Sequence, residues 1–272
     1  MAPYDSYSGL VFISENLIVI PNAQTNALEV WDIFSTHQTP RPACILQLPE
    51  LLPGNSLFCI TCRGEPNPIG SGSQIESDKP FYQSAQDAIM LFHIQIQIGG
   101  GFIRDTFTFF VHRSALCEIY ERQCVETNSE SGDPFGGTDN NPIPIPWSAW
   151  GPPITRWFPA DNRNATRWIT TTAGQRGVLC GSQPEVACQY IVLDFNPESL
   201  RRADALSLDA DTRIRCFRHW EAMPAEGLFK EPVIGQLPFV ICASEDFYAW
   251  DGALLDEDRV LGLEVCYFGY YY

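Results

Sequence analysis

Two short acidic clusters could supply the carboxyl pair that acid–base chemistry needs. Asp209 and Asp211 flank an alanine, and Asp256 opens a run of acidic residues at 256–258. Hydrolysis of a glycoside uses one carboxylic acid and one carboxylate, which the loops of several propeller blades could bring together. Neither cluster lies in an apolar segment that would raise a carboxyl pKa. We therefore interpret both as solvated turns, and a glycosidase-like propeller hydrolase using these loop carboxylates stays open as an alternative.

Cysteine thiols and histidine imidazoles are the other side chains that could form a zinc or redox site. Cys59 and Cys62 have the CxxC spacing of zinc and redox sites, but no second CxxC or paired-histidine motif supplies the other zinc ligands. The histidines lack a metal-ligand spacing, and His93 and His112, on neighbouring predicted strands, are expected on opposite faces. The two cysteines also point to opposite faces of a strand. The sequence therefore predicts buried thiols, with no catalytic residue, no cofactor and no metal site.

The charge balance narrows the classes of partner. The chain has 272 residues, of which 33 are acidic and 17 basic, and its net charge is −16. Nucleic acid and anionic membrane surfaces repel such a charge, and we expect neither as a partner. No apolar run approaches the roughly 20 residues of a membrane-spanning helix. Ten cysteines are present without a visible secretory signal, so we expect reduced thiols in a cytoplasmic or nuclear protein.

Short strands separated by turn residues are the main structural pattern. Apolar–polar alternation and β-branched or aromatic runs predict strands at 10–13, 17–20, 26–33, 43–48, 56–62, 188–195, 212–220, 239–243 and 260–267. Many short strands and 21 prolines indicate an all-β fold. The length favours an irregular β-propeller-like domain of repeated antiparallel strands with one or two short helices. We expect a single domain over residues 1–272.

The clearest local prediction is a hairpin over residues 88–113. With a two-residue glycine turn at 100–101, Phe92 pairs with Phe109 across the two strands. This register places the large apolar residues on one face and polar residues such as His93 on the other. A slip of one residue would scatter them, so the turn and the alternation support the same pairing.

Two helices and two mobile loops are predicted between the strands. Ser114 can cap a helix over 114–123, and Asn196 followed by Pro197 can cap a short second helix. Polar segments rich in glycine, serine and proline, or in glycine and acidic residues, indicate mobile loops. The predicted mobile loops are 64–86 and 125–141.

A tryptophan-rich segment over residues 143–197 carries the most distinctive side chains. Four of the seven tryptophans fall here, at positions 147, 150, 157 and 168. They could line an aromatic groove for a peptide or a glycan, because aromatic side chains are common interface anchors. They are equally the usual core of a protein built from short strands. We expect them to hold strand corners together.

Several short motifs follow one another in order along nearly the whole chain. They are CRGEPNP at 62–68, FTFFVHRS at 107–114, WSAWGP at 147–152, TRWF at 155–158, GQR at 174–176, DFNP at 194–197, LPF at 237–239 and DEDRVLGL at 256–263. Together they resemble the C-terminal, propeller-like region of a large basidiomycete fungal family of F-box domain-containing proteins. The signature residues of this resemblance are Trp147, Trp150, Gly151, Arg156, Trp157, Gly174, Arg176, Asp194, Asn196, Pro197, Asp256 and Arg259.

The resemblance implies a function that does not involve catalysis. In that family an N-terminal F-box docks on a Skp-type adaptor of a cullin ubiquitin ligase, and the C-terminal part presents substrates. This chain is therefore expected to be a non-catalytic protein-interaction domain for an unidentified protein partner. No F-box precedes residue 10, so a Skp-type adaptor is expected only if one lies upstream. An interaction scaffold unrelated to ubiquitin stays open as a further alternative.

Overall fold

The computed structural model is mostly β-structure, with three α-helices among the residues it describes. Those residues are 9–35, 40–68, 84–101, 104–130, 142–160, 171–180, 189–206, 214–218, 221–223, 227–250, 252–256 and 259–263. Every strand pair within the described sheets is antiparallel. The predicted predominance of antiparallel strands is therefore confirmed.

Sheet 1 is a four-stranded meander formed by the first strands of the chain. Its strands, in chain and spatial order, are β1 (Val11–Phe12), β2 (Leu17–Asn22), β3 (Ala27–Asp32) and β4 (Cys44–Gln47). The strands predicted at 10–13 and 17–20 pair as a hairpin, and the Ser14 hydroxyl closes its turn by accepting the Leu17 N–H at 3.1 Å. Burial alternates along β2 from Leu17 to Pro21, as expected for a strand with one face in the core.

Sheet 2 contains the predicted long hairpin. Its strands, in spatial order, are β5 (Ser56–Arg63), β6 (Ile89–Gln97), β7 (Arg104–His112) and β8 (Thr155–Ala160). The predicted register is confirmed, since Phe92 pairs with Phe109 and His93 with Thr108. Both faces of this sheet are buried, because one packs against sheet 1 and the other against a third sheet.

The turn of this hairpin lies one residue earlier than predicted. Gly99 and Gly100 have φ angles of 58° and 70°, and Gly101 donates its N–H to the Ile98 carbonyl at 3.0 Å. A primed turn needs positive φ at both central residues, which glycine adopts without strain. The register survives this difference because the apolar alternation of the strands decides which face is buried.

Sheet 3 has five strands whose spatial order departs from chain order. From one edge to the other they are β12 (Ile214–Phe217), β15 (Phe239–Ala243), β11 (Tyr190–Asp194), β10 (Arg176–Cys180) and β9 (Thr172–Ala173). Two-stranded ribbons complete the described strands. They are β13 (Glu221–Ala222) with β14 (Ile234–Gly235), and β16 (Gly252–Leu255) with β17 (Val260–Leu263).

The sheets stack face to face in chain order. Apolar side chains of sheet 1 and one face of sheet 2 share the largest core, which includes Leu28, Leu46 and Phe92. The other face of sheet 2 shares a second core with sheet 3, where Phe110 meets Phe195 at 5.1 Å between ring centroids. A third cluster joins sheet 3 to the β16–β17 ribbon. The result is a series of stacked layers.

The helices differ from the prediction of one or two short ones. Helix α1 (Arg113–Glu130) extends seven residues past the predicted end at 123, because no glycine or proline occurs before Gly132. The first six residues of the predicted mobile loop 125–141 are therefore helical, and 131–141 lie outside the described residues. So do residues 69–83 of the predicted loop 64–86.

Of the other two helices, one lies inside the tryptophan-rich segment and one begins at its end. Helix α3 (Pro197–Leu206) begins where predicted, and the Asn196 side chain caps it by accepting the Glu198 N–H at 2.8 Å. Helix α2 (Trp147–Ile154) was not predicted, since its sequence contains Pro152 and Pro153. The short 3₁₀ turn Ala85–Asp87 leads into β6.

Candidate functional site

The tryptophan-rich segment builds an aromatic cluster between α2 and sheet 2. The Trp157 ring stacks on Phe109 at 4.6 Å, and Phe109 stacks on Phe92 at 4.8 Å. Trp147 stands edge-on to Trp150 at 5.0 Å and to Trp157 at 5.6 Å. Trp150 and Trp157 are buried and Trp147 is half-buried. These rings therefore pack mainly on one another and on the core, while Trp168 lies outside the described residues.

Trp147 and Trp150 sit on a helix and not at the predicted strand corners. The Trp150 indole N–H donates to the Gln47 carbonyl at 2.8 Å, which ties α2 to the end of β4. Gly151 lies directly under Trp147, and a Cβ there would come within 2.1 Å of the indole ring. Position 151 therefore needs glycine, because only a residue without a side chain leaves room for the Trp147 ring to lie across the helix.

Arg156 connects β8 to the LPF motif and to the β13–β14 ribbon. Its buried guanidinium donates to the Gly235 carbonyl at 2.9 Å and lies 4.8 Å from the centre of the Phe239 ring. The Leu237 N–H donates to the Thr155 carbonyl at 3.1 Å. Two motifs about eighty residues apart therefore meet at one junction between sheets 2 and 3.

Arg113 forms a second junction at the start of α1. Its fully buried guanidinium donates to backbone carbonyls of three separate segments, at Phe12, Gly64 and Ala85. The Nε–Phe12 and Nη2–Gly64 distances are both 3.0 Å. Burial lowers the pKa of Arg113 to about 10, so the group stays charged at neutral pH. Carbonyl dipoles, rather than a direct carboxylate partner, receive these hydrogen bonds.

The glutamate after Gly64 extends this junction to sheet 3. The Thr172 hydroxyl donates to the Glu65 carboxylate at 2.7 Å, and the Gly174 N–H donates to the Glu65 carbonyl at 3.1 Å. Gly174 has a φ of 56°, and its own carbonyl accepts the Ile89 N–H at 2.8 Å. The CRGEPNP, FTFFVHRS and GQR motifs therefore converge, although they lie far apart in the chain.

The DFNP motif holds the end of β11 and the start of α3. Asp194 on β11 lies directly opposite Arg176 on β10 in the strand register. Its carboxylate accepts the Asn196 N–H at 2.9 Å and the Ser199 hydroxyl at 2.8 Å. Pro197 is the first residue of α3, where its missing N–H is not needed. These signature residues therefore act on local backbone geometry.

The acidic clusters give no carboxyl pair in the described part of the chain. The Asp256 carboxylate accepts the Arg259 N–H at 3.0 Å and pairs with its guanidinium at 3.4 Å, which closes the β16–β17 turn. The Arg259 side chain is largely exposed and the Asp256 side chain about half exposed. Asp209 and Asp211 lie outside the described residues. The described carboxylate therefore stabilises a turn.

Cys59 and Cys62 lie on opposite faces of β5 as predicted. Burial raises the pKa of Cys62 to about 12, so it is a protonated thiol at neutral pH. The described residues contain no group of three or more side chains placed to bind a metal ion. No helix in the described part is both long and apolar enough to cross a membrane.

A row of polar side chains crosses the buried face of sheet 2 that packs toward sheet 3. Thr61, His93 and Thr108 are direct neighbours on β5, β6 and β7. His112 lies on this same face, four residues along β7 from Thr108, so the expectation of opposite faces for His93 and His112 was wrong. Residues 108 and 112 share a face because side chains an even number of residues apart on one strand point the same way.

Three strongly exposed apolar side chains each lie next to elements that meet at one corner of sheet 1. The pKa of Tyr120 is raised by burial, by a hydrogen bond with Cys124 and by the nearby acidic groups of Cys124, Asp32 and Cys44. The end of β3, β4 and α1 therefore lie close to one another. The exposed residues adjoin these groups: Phe34 is 71% exposed, Val125 69% and Ile143 81%. Ile143 lies two residues before Ile145, which pairs with Leu46.

We call Phe34, Val125 and Ile143 the apolar corner. Sequence reasoning missed it because the three residues are scattered, and Val125 and Ile143 fall beside a polar loop. Exposed apolar side chains on a strongly acidic protein mark a candidate docking surface. Comparisons with family models, with curated proteins and with solved structures find no match for this chain.

Proposed function

We propose that this chain is a non-catalytic protein-interaction domain, similar to the substrate-presenting part of F-box ubiquitin-ligase receptors. The observation that carries the proposal is the apolar corner, where three large side chains are each more than two-thirds exposed. Partner-binding surfaces depend on a few apolar anchors that lose water on binding. The motifs behind the family resemblance support the same view, since their described residues connect sheets and cap elements.

The architecture that we propose is an irregular propeller whose blades are the stacked sheets. Sheets 1, 2 and 3 and the β16–β17 ribbon follow one another in chain order, as blades do. The face of sheet 1 that points away from sheet 2 carries half-buried Phe12, Ile18 and Trp31, a composition suited to packing against a further blade. A crystal structure in which the last sheet lies far from this face would refute the ring.

Photo-crosslinking tests the interaction surface. We would replace Phe34 and, as a matched control, Phe247 with a benzophenone-bearing phenylalanine, because both side chains are more than half exposed. In a fungal extract we expect one specific protein adduct from position 34, repeated from position 143, and none from position 247. Equal adducts at 34 and 247, or no specific adduct at 34 and 143, would refute the corner as the binding surface.

The identified partner then allows an affinity measurement. Phe34→Ser should weaken binding at least tenfold, which corresponds to about 1.4 kcal/mol for a modest interface anchor. Phe247→Ser should leave the affinity unchanged. If both variants bind like the unmodified protein, the adduct reported proximity and not recognition.

The ubiquitin link is a separate part of the proposal. A Skp-type adaptor and a cullin that copurify with the full gene product would support the ligase role. Specific partners recovered without them would leave an interaction scaffold unrelated to ubiquitin. The hydrolase alternative would be favoured instead by turnover of a glycoside that is lost in Asp256→Asn, Asp209→Asn or Asp211→Asn.

A further inference from the structure

The polar row Thr61–His93–Thr108 lies on the face of sheet 2 that packs against sheet 3, beside the apolar side chains of the second core. Directly opposite residues on antiparallel strands have Cβ atoms about 4.5–5.5 Å apart, so the His93 ring has a threonine hydroxyl on either side. The Nδ1 atom of His93 lies 3.2 Å from the Thr108 hydroxyl, and these two groups share a hydrogen bond. His93 is only 4% exposed and Thr108 only 2%.

The other side of the His93 ring has a different environment. In the part of the chain that the structure describes, neither His93 Nε2 nor Thr61 Oγ1 has a protein hydrogen-bond partner, although both atoms are buried. Buried polar atoms in folded proteins almost always have a partner, either a protein group or an ordered water. Two such atoms lie here on adjacent strands of one sheet face. We therefore expect each of them to have a hydrogen-bond partner.

We propose that one ordered water molecule binds between His93 Nε2 and Thr61 Oγ1. A water can donate to one of these atoms and accept from the other, and a buried water needs two to four polar partners. A metal ion would need more ligands than one imidazole and one hydroxyl. Gln95, two residues further along β6 on the same face, can supply a third polar group.

The protonation of His93 suits such a water. Burial, together with the nearby Arg63, lowers the pKa of His93 to about 4, so the ring is neutral at pH 7. A neutral imidazole has one N–H and one lone pair. If Nδ1–H donates to Thr108, Nε2 accepts from the water. If the Thr108 hydroxyl donates to Nδ1, Nε2–H donates to the water.

A high-resolution crystal structure of the unmodified protein is the direct test. We expect a water oxygen within about 3.2 Å of both His93 Nε2 and Thr61 Oγ1. A direct contact between the two side chains, or a protein group bonded to each atom, would overturn the proposal. NMR adds a solution readout, because the nitrogen shifts of His93 give its tautomer and cross-relaxation to a long-lived water should appear at its ring protons.

Matched variants separate hydration from packing. Thr61→Ser keeps the hydroxyl and should retain both the water and its NMR signal, whereas Thr61→Val keeps the shape and should lose that signal. Val at this position should also lower the urea midpoint of unfolding more than Ser does. A water signal unchanged in Thr61→Val would refute the site even if the variant is less stable.

Discussion

Arg113 offers the sharpest test of how this fold is held together. Replacing it with methionine keeps the apolar stem but removes a guanidinium that binds carbonyls from β1, the end of β5 and the turn before β6. Each hydrogen bond to a charged group contributes about 1.5–3 kcal/mol, and the desolvation of the buried charge offsets part of that sum. We expect Arg113→Met to lower the free energy of unfolding by about 3–5 kcal/mol.

Urea unfolding followed by tryptophan fluorescence measures this loss. Arg122→Met is the matched control, since Arg122 is exposed on the same helix and bonds only to the Glu118 carbonyl among the contacts that the structure gives it. It should change stability by less than about 0.5 kcal/mol. Arg113→Lys should be intermediate, because an ammonium lacks the planar fork that meets three carbonyls at once. If Arg113→Met lies within about 1 kcal/mol of the unmodified protein, the junction is not a stabilising one.

Three further predictions concern the core. Trp157→Ala should cost about 3–5 kcal/mol and Trp147→Ala less, because Trp157 is buried and Trp147 only half-buried; equal losses in urea unfolding would contradict this. Gly151→Ala should cost about 1–3 kcal/mol through the clash with Trp147, with Ser148→Ala on the exposed side of α2 as control; similar melting temperatures would argue against a tight fit. His93 has a pKa near 4 in the folded state against 6.5 unfolded, so the unfolded state binds more protons between these values and stability falls as pH drops through them, by about 2 kcal/mol at pH 5. His93→Gln should remove that share of the pH dependence; an unchanged pH profile would assign it to other groups.

Local patterns predicted much of sheet 2 and of α3. The hairpin register followed from alternation over residues that are near one another in the chain, and the Asn196–Pro197 cap followed from backbone chemistry within three residues. The same kind of reasoning failed for α2. Its prolines argued against a helix, but the packing of Trp147 on Trp157 and the hydrogen bond from Trp150 to the Gln47 carbonyl are enough to hold one.

The candidate sites were harder to predict than the strands. Tryptophans are visible in the sequence, but whether they line a groove or a core depends on what packs over them. The apolar corner joins residues 34, 125 and 143, and the polar row adds Thr61 to a predicted His93–Thr108 pair. Neither set has a spacing that marks it, because its members come from separate elements.

The sequence by itself determined the antiparallel strands, the central hairpin pairing and the cap of α3, since these depend on residue periodicity and short-range hydrogen bonds. It also contained the motifs, but it did not show which contacts their residues make. Only the tertiary structure decided that β15 lies between β11 and β12, that Arg113 meets three distant carbonyls, and that Arg156 reaches Gly235. Such contacts are set by how whole sheets stack, because the free energy of burying their faces is shared among residues far apart in the chain.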